Sequence, residues 1–447
     1  MDAITKFQIR SLQDEIVHLR HSLDFVPAPV YLACVHFRRF RWTLSRLLGL
    51  EGRPSAAGAA IGDFSAGDFP AAPLAALAAP RVFLDATDSA AATETTGVRR
   101  VVRELCRAAA QDRSAAPVRI AHGRFVALDG GAIDFRSGDS LVLLDAGWLR
   151  TPDYVAAVTA ARAAGCAIVL GLYDLIPLNQ PGFTPPAFSA AFDAWIRALA
   201  PLSDAVVAIS RAVAEDFIAF RGKMGNEFAG AVKVGWFSLG ADLAAPAGVA
   251  PSSSTRAALA RSPRYFLSVG TLEPRKGHAV ALDAFDIYGR AGGQASYIIV
   301  GKRGFASDAL VERIETHAEY GRRLFWLSNA GDGDLAALYG AAIALVLPSI
   351  AEGFGLPVIE AAHFGTPVIA SDIPVLREVG ESRIDYFRAL DAGDLADRLA
   401  VAVAVADDDG KRAPPRLTAL NWRQATAALT NMVANRTYQM AIEGGVR

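Results

Sequence analysis

Cysteine is scarce in this chain: Cys34, Cys106 and Cys166 are the three cysteines among 447 residues. They are far apart, odd in number and form no C-x-x-C pair. That argues against a disulfide framework or a zinc site and fits a reducing cytoplasm. Long apolar runs are also missing. No uncharged stretch reaches the roughly 18 residues of a spanning helix, and Met1-Asp2 leads into a charged segment rather than a secretory signal. Neither sign of charge is in excess, with 45 Lys and Arg against 46 Asp and Glu, so nothing global points to nucleic acid. The N-terminal histidines and His122 lack ligand spacing, and no D-x-D falls between a strand and a loop. Asp407-Asp-Asp409 sits in a helix-ending run. The expectation is chemistry without a metal.

What the chain does have is apolar, Ala-rich sequence, 52% hydrophobic, suited to helices packed on both faces of buried sheets. Its length exceeds the 250–300 or so residues at which single cores stop growing. In residues 1–24, Leu12, Ile16, Leu19 and Leu23 recur at helical steps, the seam of a short coiled coil that pairs with a partner or covers the chain itself. Between 30 and 50, Phe37, Phe40 and Trp42 alternate with Arg38, Arg39, Arg41 and Arg46. This pattern suits either an anionic membrane surface or packing on a neighbouring domain. Residues 51–79, rich in Ala, Gly, Pro and Ser, read as a linker.

From residue 80 the pattern alternates strand and helix, the signature of doubly wound α/β domains that hold ligands beyond strand ends. The first domain spans 80–255, with strands at Arg81–Asp85, Leu141–Leu144, Ala167–Leu170, Ala205–Ile209 and Val232–Phe237. Its helices include Ala187–Leu199, and another opens at Ser210, a plausible N-cap. Ala244–Arg261 reads as a hinge. The second domain spans 256–420, with strands at Tyr265–Val269, Tyr297–Val300, Leu324–Leu327, Ala341–Leu347 and Val368–Ala370. A final helix at 421–436 opens a segment, 421–447, assigned back to the first domain.

Two loops of the second domain carry chemistry. Gly270-Thr-Leu-Glu-Pro-Arg-Lys-Gly277 places Arg275 and Lys276 at a loop-to-helix junction, where two cations and helix amides can hold a diphosphate. Glu352-Gly-Phe-Gly-Leu-Pro-Val-Ile-Glu360 reads strand, loop, helix start. Gly353 and Gly355 let backbone amides approach a ligand, and two carboxylates bracket the turn. A structural turn with a solvated Glu360 is the plainer alternative for a Gly-x-Gly alone. Gly301-Lys302-Arg303-Gly304 lacks the second half of a Walker loop, so an ATPase is excluded. His278 and His363 read as helix-surface residues.

The Glu352–Glu360 segment resembles the E-x7-E signature of retaining GT-B glycosyltransferases of the family-4 class, and Phe266–His278 resembles their phosphate-binding segment. Thr95–Val101 and Tyr173-Asp174-Leu-Ile-Pro177 are similar to segments of bacterial surface-polysaccharide mannosyl and rhamnosyl transferases, with Arg99 where Gln is usual. The resemblance covers 80–436. It implies two Rossmann-like domains facing across a cleft, with a helical N-terminal extension, and retention at the anomeric carbon by front-face attack.

The implied catalytic residues are Glu352, Arg275, Lys276 and Asp174, with Glu352 on donor-sugar hydroxyls and Asp174 orienting or deprotonating the acceptor hydroxyl. The implied donor contacts are Gly270, Thr271, Lys302, Gly353, Phe354, Gly355, Leu356 and Glu360, the last on the ribose. Gly97, Tyr173 and Ser210 fall to the acceptor or cleft, although Gly97, Asp174 and Ser210 each serve equally as a helix-start or cap residue. No cofactor is implied beyond a nucleotide-sugar donor, with GDP-mannose leading and GDP-rhamnose, dTDP-rhamnose and GDP-fucose open. The acceptor is a glycan or lipid-linked sugar at the inner membrane. Two rivals remain: a GT-B epimerase that needs no acceptor, and a non-catalytic nucleotide-sugar-binding scaffold.

Overall fold

The computed structural model describes residues 77, 79–92, 97–224, 230–243, 250–408, 417 and 419–442. The coiled-coil and membrane-surface expectations for residues 1–50, and nearly all of the linker, lie outside them.

Short apolar runs make the strands. In chain order they are β1 (Val82–Asp85), β2 (Ala116–Ala121), β3 (Arg124–Ala127), β4 (Ser140–Leu143), β5 (Ala167–Leu172), β6 (Ala205–Ala208) and β7 (Val232–Trp236) in the first lobe. The second lobe holds β8 (Tyr265–Val269), β9 (Ser296–Val300), β10 (Leu324–Leu327), β11 (Ala344–Leu347), β12 (Val368–Ser371) and β13 (Asp385–Phe387); β14 (Met440–Ile442) follows. Every residue of β1, β4, β6, β11 and β12 is buried. Strands covered on both faces have no solvent side to alternate toward, so they carry unbroken Val, Leu, Ile and Ala.

The first sheet runs β14-β7-β6-β5-β4-β1-β2-β3, and the second runs β10-β9-β8-β11-β12-β13. The second is parallel throughout; in the first, only the β2–β3 hairpin and β14 against β7 are antiparallel. Strand order reverses between β1 and β4 in one sheet and between β8 and β11 in the other. Loops leaving the two strands at such a point diverge and open a crevice. In the second lobe that point brings the Gly270–Gly277 loop beside the loop after β11.

The helix Trp422–Asn435 is capped by Asn421, whose side chain accepts from the Gln424 amide. It packs on the helix Gly97–Asp112 of the first lobe, with Arg423 on Asp112 at 2.7 Å. The hinge expected over Ala244–Arg261 is corrected in its second half. Ser253–Arg261 is a helix with Ser252 as its N-cap, tied to the second lobe where the Ser252 amide donates to Asp334 at 2.7 Å. Buried Thr255 and Ala258 give that short run an inward face.

The lobes meet through the Glu352–Glu360 segment itself. Phe354 and Ile359 pack into a cluster with Val101, Leu105, Ile209 and Trp422 on one face of the first sheet. Nearby, the Glu378 carboxylate accepts from the amides of Arg211 and Ala212 at 2.7 and 2.8 Å. A second-lobe anion thus caps the N-terminus of the first-lobe helix Arg211–Met224, as the helix dipole favours.

Candidate active site

After β8, residues Pro274–Lys276 form one tight turn that ends on Gly277 with φ of 68°. A Cβ at Gly277 would lie 1.9 Å from the Pro348 carbonyl oxygen, so glycine is required by both backbone and space. The Ile350 amide donates to the Arg275 carbonyl at 2.7 Å and stitches the two loops together. Adjacent basic residues on the first loop are thereby held against the acidic residue of the second.

Lys276 Nζ donates to Glu352 Oε1 at 2.6 Å, and Ser349 Oγ donates to the same oxygen at 2.7 Å. Arg275 Nη1 lies 3.6 Å from Glu352 Oε2, while its Nε donates to Glu273 at 3.0 Å. The Glu352 side chain is only 7% exposed. Burial alone would raise its carboxyl, but Lys276 and Arg275 outweigh it and hold the group below the ordinary carboxylate value. Arg275 is likewise held above its usual value against burial by Glu352, Glu273 and Asp174.

Asp174 comes from the first lobe, on the loop leaving β5. The Ile176 amide donates to its Oδ1 at 3.0 Å, so the turn-capping role is real. Burial pushes its carboxyl up, with Arg275 opposing and Glu352 reinforcing. A carboxylate of raised proton affinity beside a cation has the character of a base for a hydroxyl. The lobes touch here: a Cβ on Gly353 would sit 2.0 Å from the Tyr173 carbonyl oxygen.

Asp174, Arg275, Lys276 and Glu352 thus belong to one electrostatic cluster. Glu360 stands in another. Its Oε1 accepts from Arg100 Nη1 at 2.8 Å and its Oε2 from the Tyr339 hydroxyl at 2.8 Å, leaving the side chain 4% exposed. Ser210 is both cap and bolt: its Oγ accepts from the Val213 amide at 3.2 Å and donates to the Gly353 carbonyl at 2.8 Å. The Tyr173 hydroxyl donates to the Leu144 carbonyl at 2.8 Å. Phe354 and its neighbour Leu356 pack toward the first lobe, and Gly355 starts the Leu356–His363 helix in the left-handed region at φ of 96°.

Gly270 and Gly301 bring two strand-end loops together, a Cβ on Gly301 falling 1.9 Å from the Gly270 carbonyl oxygen. The Leu272 amide donates to the Lys302 carbonyl at 2.9 Å, while Thr271 is half-buried and the Lys302 side chain exposed. Gly97 opens its helix at the surface, with nothing within 4 Å of an added Cβ. His363 is exposed. His278 is not: it is buried, and burial, then Lys276, pushes its imidazole down to about 4. The surface reading of His278 is corrected because it shares an inward face with Ala281, Leu282 and Phe285.

A cavity of about 270 Å³ opens beside this cluster, lined by Asp174, Glu273 and Arg275 and by several aromatic side chains from both lobes. Sequence reasoning assigned no role to its aromatic wall, to Ser349, or to Arg100 and Tyr339. Arg100 lay inside a noted segment, and Phe183 in a loop expected at the cleft. The others carried no spacing signal.

Two parallel α/β lobes that face their strand ends across a cleft define the GT-B fold, and residues 253–399 match the family Glycosyl transferases group 1. This chain therefore carries a group 1 glycosyl transferase domain in its second lobe. It is 35% identical over 305 residues to the serotype-specific mannosyltransferase WbdA of Escherichia coli, a match covering 66% of this chain and 37% of that protein. The O-antigen chain mannosyltransferase B of Escherichia coli is 39% identical over 119 residues, 26% of this chain and 30% of its own length. The chain thus spans well under half of the curated relatives it matches. The Anabaena Alr3699/HepE structure in complex with UDP-glucose superposes with a TM-score of 0.53 at 17% identity, over 80% of this chain and 98% of that one.

Proposed function

We propose that the chain is a retaining glycosyltransferase that moves mannose from GDP-mannose to the terminal sugar of a glycan or lipid-linked acceptor in surface-polysaccharide synthesis. The observation that carries this reading is the convergence of Lys276, Arg275 and Glu352 at the strand-end crevice, with Asp174 supplied from the opposite lobe. The resemblance to mannosyltransferases directs the choice of sugar.

In this reading Arg275 and Lys276 neutralise the charge that grows on the departing diphosphate, a transition-state effect worth several kcal/mol where water is excluded. Glu352 fixes both cations and accepts hydrogen bonds from donor-sugar hydroxyls, and Glu360 exchanges a present partner for the ribose. Asp174 orients the acceptor hydroxyl and takes its proton as the new bond forms on the face the diphosphate leaves. The test is a donor panel. GDP-mannose, UDP-glucose and dTDP-rhamnose are offered with a mannose-terminated oligosaccharide, and the product linkage is read by NMR. An α-mannosyl product from GDP-mannose is expected. A changed free sugar nucleotide without acceptor, or nucleotide binding with no transfer to any acceptor, would end the proposal.

A further inference from the structure

The cavity beside Asp174 has a composition the donor chemistry does not use. Its aromatic wall comes from Trp148, Phe183, Phe188 and Phe305, all half-buried, backed by buried Phe192 and Trp195. The wall is rigid. Trp148 meets Phe188 edge-on with centroids 5.4 Å apart and Trp195 edge-on at 6.1 Å. The turn that presents Trp148, Gly147–Arg150, packs so tightly that a Cβ on Gly147 would fall 2.4 Å from the Tyr154 ring. The charged lining is one-sided: Asp145, Asp174 and Glu273 against Arg275 alone. Asp145 is already held by the amides of Asp88, Ser89 and Ala146 and by the Ser89 hydroxyl, and Arg275 by Glu273 and Glu352.

Resting on the reading above, we propose that this cavity is a subsite for one uncharged pyranose ring, the terminal sugar of the acceptor, and that it rejects phosphorylated sugars. A pyranose has faces of C–H groups that cover aromatic rings and an equator of hydroxyls that can bond Asp174. A hydrocarbon chain would cover the rings but leave carboxylates dry and unpaired, which is costly. A phosphate would add two negative charges beside three carboxylates whose nearest cation is already paired. The volume, about 270 Å³, lies just below the roughly 300–1,000 Å³ range of small-molecule sites. It admits a single ring.

The experiment is saturation-transfer NMR on the full chain, with and without GDP, using methyl α-D-mannopyranoside, mannose 6-phosphate and decanol as probes. Binding of the neutral glycoside is expected, with the phosphate at least about tenfold weaker, the size of one repulsive contact of about 1.4 kcal/mol. Trp148→Leu and Phe188→Ala should remove the glycoside signal, and Trp148→Phe should restore most of it. Melting with GDP reports that each variant is folded. Equal or tighter binding of mannose 6-phosphate, decanol in place of the glycoside, or a signal indifferent to these substitutions would overturn the proposal. A wild-type chain that binds the glycoside but is not stabilised by any nucleoside diphosphate would instead overturn the donor reading.

Discussion

Glu352 settles the charge balance of the cleft. Its two oxygens take a lysine, an arginine and a hydroxyl at once, so replacing it with glutamine keeps the shape and releases both cations. Glu352→Gln should lower kcat by about 10²-fold or more, the usual loss when a preorganised electrostatic contact is removed, with a far smaller change in nucleotide affinity. Steady-state transfer and GDP titration of the same variant separate the two effects. His278 gives a residue-scale prediction about stability. Its pKa falls from 6.5 to about 4 on folding, so the unfolded chain binds the extra proton between those values. Stability is complete above pH 6.5 and declines as pH falls toward 4. Between pH 7.5 and pH 5 the loss from this group is about 2 kcal/mol, and urea unfolding of wild type and His278→Gln should differ in pH dependence by that amount. The motif at 270–277 was legible because adjacent basic residues flanked by glycines are a chemical pattern. The burial of His278 was legible too, from its spacing with Ala281, Leu282 and Phe285, had periodicity been weighed over residue type.

At the scale of elements, the Glu352–Glu360 loop works only if its glycines stay glycines. Gly353 has no space for a Cβ because the Tyr173 carbonyl is 2.0 Å from where it would sit, and backbone cannot swing aside as a long side chain can. Gly353→Ala should therefore cost about 1–3 kcal/mol of stability, as overpacking does. Because the clash lies where the lobes touch, transfer should fall more than the melting temperature suggests. Calorimetry and initial rates on one preparation check this. Most strands were readable to within a residue or two, since runs such as Tyr265–Val269 are apolar, β-branched or aromatic, and bounded by glycine. The β2–β3 hairpin was not. Pro117 argues against a strand, and its turn, His122-Gly123 with φ of 50° and 72°, uses the backbone of a primed turn without the Asn-Gly or Asp-Gly that announces one. The helix Ser253–Arg261 was hidden by serines and prolines that read as hinge until Ser252 is seen as a cap.

For the whole molecule, the question is what the two lobes do to each other. The sequence shows two acidic residues eight positions apart in Glu352–Glu360, but not that one is claimed from across the cleft. Glu360 is held by Arg100 of the first lobe and by Tyr339 of the second. Neither contact is visible in a motif, because 260 residues separate Arg100 from Glu360. Under the proposed function, the ribose and Arg100 compete for the same carboxylate, so nucleotide entry and release of this interlobe ion pair are one equilibrium. Removing the competitor should favour the nucleotide. Arg100→Ala is expected to tighten GDP binding about fivefold, equivalent to about 1 kcal/mol, and to lower the melting temperature of the unliganded chain, because Glu360 then lies buried without its cation. Isothermal titration with GDP on wild type, Arg100→Ala and Arg100→Ala/Glu360→Gln resolves the matter. The gain should vanish in the double variant, since no carboxylate is left for ribose and guanidinium to contest. Weaker GDP binding by Arg100→Ala alone would instead make Arg100 a positioning residue of the donor site.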